Sequence, residues 1–168
     1  MKLETQRLFI RKASLQDAPF FLKLLNEESY IKNIRDSLVR SLEASEKFIQ
    51  DFYLKSYETN GFGLYVLECK KAGTPLGVCG LVKRPELDFP DLGFALLSTE
   101  VGKGYIQESS QMILKYSRDD LKFSELGAIT SKDNTRSANT LLKLGFIFQE
   151  EVQFPNQGKI LDLYMKIL

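Results

Sequence analysis

The 168-residue chain has no histidine and only two cysteines. Without histidine there is no Ser-His or Cys-His pair and no imidazole base, so a general base has to be Asp, Glu or a water held by one of them. Cys69 and Cys79 fall in two separate apolar runs, outside any C-x-x-C pair. That pattern argues against a disulfide scaffold or a zinc site and reads as inert packing rather than a covalent nucleophile. Long apolar runs are missing as well: no window approaches the ~18 uninterrupted residues of a membrane span, and Met1 to Arg7 has no signal-peptide core. The expectation is a cytoplasmic protein. Charge of one sign is not in excess, since 23 Lys+Arg face 22 Asp+Glu for a net +1. No whole-protein field therefore favours nucleic acid, membrane or a polyanion, and the pairs Lys70-Lys71 and Lys83-Arg84 read as solvated turns.

What is present suffices for a packed core. Apolar residues make up 43% of the chain, with 12 Phe and 7 Tyr, and the length suits one domain over residues 1–168. Arg7 to Lys12 reads as a strand, and Ser14-Leu15-Gln16-Asp17 as a capping box opening a helix with Ala18, Phe21, Leu22 and Leu25 on one face. Glu27 to Arg40 is polar and aperiodic, a loop with at most a short helix. Ser41 then caps a helix from Leu42 to about Tyr57, striped by Ser45, Phe48, Ile49, Phe52 and Tyr53 and stopped by Asn60-Gly61. Phe62–Cys69 and Leu76–Val82 form an antiparallel hairpin; the loop Lys83 to Pro90 leads to a third strand, Leu92–Leu97, whose continuous apolar run suggests burial on both faces. A helix to about Asp119 follows Gly102-Lys103-Gly104, with Tyr105, Ser109, Met112, Ile113 and Tyr116 inward. Leu126–Thr130 is a strand, and Asn134–Leu144 is a helix with Ala138, Leu141 and Leu142 inward and Gly145 in the left-handed position. Phe146–Phe154 and Lys159–Ile167 close the chain around a turn at Pro155-Asn156-Gln157-Gly158. The order implies a mixed α/β sheet with helices on its faces, whose ligands sit at the carboxyl ends of strands.

Gly102-Lys103-Gly104 stands where a strand passes into a helix, a context in which free amides and the helix dipole hold an anion such as phosphate. The same triplet also makes an ordinary tight turn. A dinucleotide fingerprint is disfavoured, because the third-glycine position is Gln107 and a hairpin precedes the strand.

Leu92-Gly93-Phe94-Ala95-Leu96-Leu97, four residues, then Gly102-Lys103-Gly104-Tyr105 resembles the acyl-CoA motif of the GNAT superfamily of N-acetyltransferases. Asp133-Asn134-Thr135-Arg136-Ser137 followed by Leu141-Leu142-Lys143-Leu144-Gly145-Phe146 is similar to the family's later strand-helix motif. Thr5-Gln6-Arg7-Leu8-Phe9-Ile10-Arg11 matches the opening of the RimJ/RimL-like branch of ribosomal-protein N-terminal acetyltransferases. The resemblance implies a central, mostly antiparallel sheet of six to seven strands flanked by about four helices. It also implies acetyl-CoA as co-substrate without a metal, and a primary amine as acceptor, either a protein N-terminus or a small molecule, in a monomer or homodimer. A non-catalytic acyl-CoA-binding module is the rival reading.

The resemblance also assigns residues. Amides of Gly102, Lys103, Gly104, Tyr105 and Ile106 would bind the pyrophosphate, and main-chain groups of Phe94, Ala95, Leu96 and Leu97 the pantetheine arm and acetyl carbonyl. Asn134 and Ser137 match the branch's Asn and Ser at the start of the later helix, with Asn134 as a cofactor contact and Ser137 as proton donor to the thiolate; they are equally a good N-cap and an ordinary first-turn residue. Val101, Ile106 and Leu141 depart from the common pattern, Leu141 standing where many members carry a tyrosine acid. For the base, Asp91 lies at the mouth of the apolar strand and Asp162 within the last strand, where burial would raise its pKa and solvent exposure would not. Glu27, Glu28 and Asp36 are either attractors of a cationic amine or plain surface carboxylates.

Overall fold

In the computed structural model, residues 2–154 and 159–168 are described. The turn expected at residues 155–158 lies outside them. The strands are β1 (Lys2–Glu4), β2 (Leu8–Arg11), β3 (Leu64–Cys69), β4 (Pro75–Val82), β5 (Asp91–Leu96), β6 (Glu125–Thr130), β7 (Ile147–Phe154) and β8 (Lys159–Ile167). They form one eight-stranded sheet in the order β1-β2-β3-β4-β5-β6-β8-β7, antiparallel throughout except between β5 and β6. The fold class is therefore mixed α/β, as expected, with a larger sheet. The additional strand is β1, three residues whose partial exposure leaves no apolar alternation to read.

Helices α1 (Ala18–Leu25) and α2 (Glu28–Asn33) follow β2. Ser14 N donates to Asp17 Oδ2 at 2.9 Å in the expected capping box, and Arg11 clamps the same carboxylate with two bonds, of 2.9 and 2.8 Å. These bonds pull the Asp17 carboxyl below its usual range against the burial that would raise it. Ser41 Oγ accepts from Ala44 N at 3.1 Å to start α3 (Leu42–Phe48), which continues through a π-helical turn at Ile49–Leu54 into α4 (Lys55–Asn60). The helix thus continues past Tyr57 to Asn60 and stops at the expected Asn60-Gly61, with Gly61 at φ +77°.

Helix α5 (Tyr105–Asp119) lies against β4 and β5, and α6 (Thr135–Lys143) against β6. Cys79 Sγ meets Ser110 Oγ of α5 at 3.5 Å, and burial pushes the thiol up to about 11, the inert state expected of it. The main apolar cluster joins Phe21, Leu24, Ile49 and Tyr53 of the helices to Ile10, Val66, Leu67 and Leu81 of the strands, and extends through Ile113 to Ala128 and Leu141. One inward assignment is corrected: Leu142 is 53% exposed, because Leu141, Leu144 and Phe146 already fill the space beneath α6.

Tyr57 closes the gap between the first helices and the sheet. Its hydroxyl accepts from Ala13 N at 3.1 Å and donates to Leu64 O, while its ring stacks on Tyr65. Tyr57→Phe leaves a buried amide and carbonyl without their partner, and a loss of about 1–3 kcal/mol is expected from urea unfolding at pH 7.

Candidate active site

Strands β5 and β6 run parallel but pair at one position, Asp91 with Gly127, beside a 3.0 Å bond from Gly127 N to Pro90 O. On its other edge β5 pairs with β4 along its whole length. Leu97 N donates to Leu76 O at 2.9 Å, which fixes the alternation of that ladder. Gly93 and Ala95 therefore turn their main-chain groups towards β4, and Leu92, Phe94 and Leu96 turn theirs towards β6. As β6 has diverged, these groups open into a V-shaped gap. Burial on both faces, expected from the apolar run, is not what the structure has: Phe94, Ala95 and Leu96 are half-buried and Leu97 is buried, because no strand covers this edge.

Parallel strands bring their carboxyl ends to the same end of the sheet, so two strand-to-helix turns flank the mouth of the gap. On the β5 side, Gly102 and Gly104 have φ of +83° and +80°, values that favour glycine, and Gly102, Lys103 and Gly104 are exposed. Gly104 caps α5 and has no side chain to accept its first amides, so these lack intrahelical partners at the positive end of a 15-residue helix. Lys103 Nζ is paired with Glu100 at 3.0 Å. Tyr105 lies beneath the Arg7 guanidinium, 4.5 Å from the ring centre. Ile106 is packed against the main core, which takes its bulk off the turn. On the β6 side, Asn134 Oδ1 accepts from Ser137 N at 3.2 Å as the cap of α6, and Ser137 is half-buried in its first turn. Leu141, one turn further on, is 1% exposed in the core, so no hydroxyl stands at that position.

The two carboxylates singled out as bases are not brought together. Asp91 pairs with Gly127 and Asp162 with Thr130, and these two residues of β6, three apart, project to opposite faces of the sheet. Asp162 is half-buried beside Thr130 and Glu151. Asp91 is fully buried at the closed end of the gap, its Oδ1 2.9 Å from Arg84 Nε and its Oδ2 without a partner among the described residues. Burial pushes its carboxyl up to about 6, against the pull of Arg84. Among the described residues no group of three or more acidic or cysteine side chains is placed to hold a metal, and no helix is long and apolar enough to cross a membrane.

The junction between α1 and α2 reaches the same mouth, because Glu27, the N-cap of α2, accepts from Ser98 N through its Oε2 at 3.2 Å. Asp36 is paired with Arg40 and Glu28 is exposed. The loop from Lys83 to Pro90 is pinned by Lys83 Nζ to the carbonyls of Leu87 and Asp88 at 2.8 and 3.1 Å, and its Leu87 and Phe89 pack with Leu161, Ile129 and Val152. The sequence reading missed Arg7 as a site residue. It was legible only as part of an opening motif, and its contacts with the α5 turn span about a hundred residues of chain.

Comparison with known proteins agrees with this geometry. The family model of the acetyltransferase (GNAT) domain matches residues 7–147. The uncharacterised N-acetyltransferase p20 of Bacillus licheniformis is 26% identical over 171 aligned residues, covering 97% of this chain and 93% of that protein. An acetyltransferase from Agrobacterium tumefaciens superposes with a TM-score of 0.84 at 18% identity, covering all of this chain and 95% of that one. RimL, a ribosomal L7/L12 α-N-protein acetyltransferase solved with coenzyme A, superposes at 0.82 and 18% identity over all of this chain and 98% of its own.

The raised Asp91 carboxyl sets a pH dependence. The native state holds this proton up to about pH 6, whereas an unfolded chain releases it near the ordinary aspartate value of about 4. The Asp91 contribution to stability therefore falls as pH rises through that window, by roughly 3 kcal/mol at most. Relative to wild type, Asp91→Asn is expected to gain stability between pH 4 and pH 7, measured by urea unfolding at each pH.

Proposed function

The chain belongs to the GNAT family of acetyltransferases, and on that premise we propose that the β5–β6 gap seats acetyl-CoA for transfer of its acetyl group to a primary amine. The observation that carries this reading is the edge of β5. A strand end with unpaired main-chain groups, opening beside two helix N-termini, suits a ligand with an amide-bearing arm and an anionic head. Amides of Gly102, Lys103, Gly104, Tyr105 and Ile106 hold the pyrophosphate. Main-chain groups of Phe94 and Leu96 align the pantetheine arm and polarise the thioester carbonyl as charge develops on its oxygen, whereas those of Ala95 and Leu97, expected from the sequence to share that task, are turned towards β4.

The amine attacks the carbonyl carbon, the carbon–sulfur bond breaks, and the thiolate takes a proton. Ser137 supplies that proton, and Asn134 fixes the turn that presents it. The attacking amine must lose a proton, and Asp91 accepts it through a water. Its place at the closed end, its unpartnered Oδ2 and a carboxyl held near 6 favour it over the half-buried Asp162. The α-amino group of a protein is the acceptor we put first, since the opening motif is the one shared with that branch. A polyamine, amino acid or antibiotic is the small-molecule alternative.

The melting temperature with and without acetyl-CoA tests the premise. At a hundredfold excess over Kd, binding adds about 2.7 kcal/mol, an upward shift of roughly 5–10 °C for a chain of this size. The shift is expected with acetyl-CoA and not with NAD. Mass spectrometry of peptide and small-amine panels then identifies the acceptor. With that acceptor, Ser137→Ala is expected to lower kcat about a hundredfold while the affinity for acetyl-CoA stays within twofold. An unchanged kcat removes Ser137 from the chemistry.

A further inference from the structure

Arg7, on the residue just before β2, makes an unusual number of contacts with the first turn of α5. Its Nη1 donates to Lys103 O at 2.9 Å, its Nε to Glu108 Oε2 at 2.6 Å, and its main-chain N to Glu108 Oε1 at 2.8 Å. Thr5 Oγ1 donates to that same Glu108 oxygen at 2.5 Å. The guanidinium covers the Tyr105 ring, and its Nη2 comes within 3.4 Å of where a Cβ on Gly104 would stand. Arg7 is itself tied to the sheet, since Lys70 N donates to its carbonyl at 3.0 Å and Lys70 Nζ to the carbonyl of Thr5 at 2.6 Å.

Glu108 poses an electrostatic problem at this place. An acidic side chain in the first turn stabilises a helix, but its charge lies within one turn of the amides that would receive a phosphate, and there it repels the ligand. Both of its oxygens are engaged by Arg7 and Thr5, and these bonds hold the carboxyl below its usual range against the burial that would raise it. The nearby lysines are paired elsewhere, Lys103 with Glu100 and Lys70 with Glu4. Arg7 is thus the cation that offsets Glu108. Its second arm grips the carbonyl side of Lys103, which leaves the amide side of the turn facing outward.

Resting on the acetyl-CoA reading above, we propose that Arg7 is a positioning residue for the phosphate turn, holding Lys103 by its carbonyl and masking the Glu108 charge so that α5 presents a positive end to the cofactor. A purely structural staple between β2 and α5 would use the same bonds, so the test separates charge masking from stapling.

Dissociation constants for acetyl-CoA are measured by calorimetry on folded protein for wild type, Arg7→Met, Arg7→Met/Glu108→Gln and Glu108→Gln. Arg7→Met is expected to weaken binding about tenfold. Adding Glu108→Gln to it is expected to recover at least threefold, because the unmasked charge is gone although the staple is still missing. Equal affinities for Arg7→Met and the double variant, or an Arg7→Met affinity within twofold of wild type, overturn the proposal. If Arg7→Met does not fold, Arg7→Gln, alone and with Glu108→Gln, takes its place and is judged by the same two criteria. A wild-type protein with no affinity for acetyl-CoA removes the parent reading instead, and is recognised before any variant is compared.

Discussion

The parting of β5 from β6 after a single paired position is the constraint on which the rest of this structure depends. Each strand is fully committed on its other side, β5 to β4 and β6 to β8, so neither can shift to close the gap. Main-chain groups that lose a strand partner need another acceptor or donor, and half-exposed Phe94 and Leu96 have only solvent or a ligand to supply it. The crossover through α5 that makes the two strands parallel also delivers both strand-to-helix turns to one end. Topology thereby assembles a gap, an amide-lined mouth and a closed end from segments distant in the chain.

The two ends of the gap differ electrostatically. At the mouth, exposed backbone dipoles and glycines at positive φ offer positive potential without a bulky side chain in the way. At the closed end, burial outweighs the attraction of Arg84 and leaves Asp91 half-way to neutrality near pH 6. A thioester needs the first environment for its phosphates and a proton acceptor near the second for its attacking amine. One strand, β5, spans the two, which accounts for the commitment of its other edge to a full-length ladder.

Much of this was legible in the sequence because it depends on local rules. Ser41 at the N-cap, the stripe from Ser45 to Tyr53, Gly145 at φ +81° and the helix following Gly104 all appear where periodicity and capping put them. The gap itself was not legible in composition: an apolar run reads as doubly buried whether or not its neighbour stays paired, and only the family resemblance assigned its main-chain groups to a ligand. Leu142 was misplaced because α6 is short and its inner face is already filled by Leu141 and Leu144. Placing Asp91 and Asp162 on opposite faces needed the register of β6, which no single strand encodes. Arg7 was overlooked as a site residue because its partners, Lys103 and Glu108, lie far along the chain.

The central claim, that the parted edge of β5 is the seat of acetyl-CoA, is tested most directly by amide hydrogen exchange followed residue by residue with and without acetyl-CoA. The amides of Phe94 and Leu96, together with those of Gly102 to Ile106, are expected to exchange readily in the free protein and to become protected in the presence of acetyl-CoA. Protection confined to other segments, with these amides unchanged at saturating ligand, would contradict it.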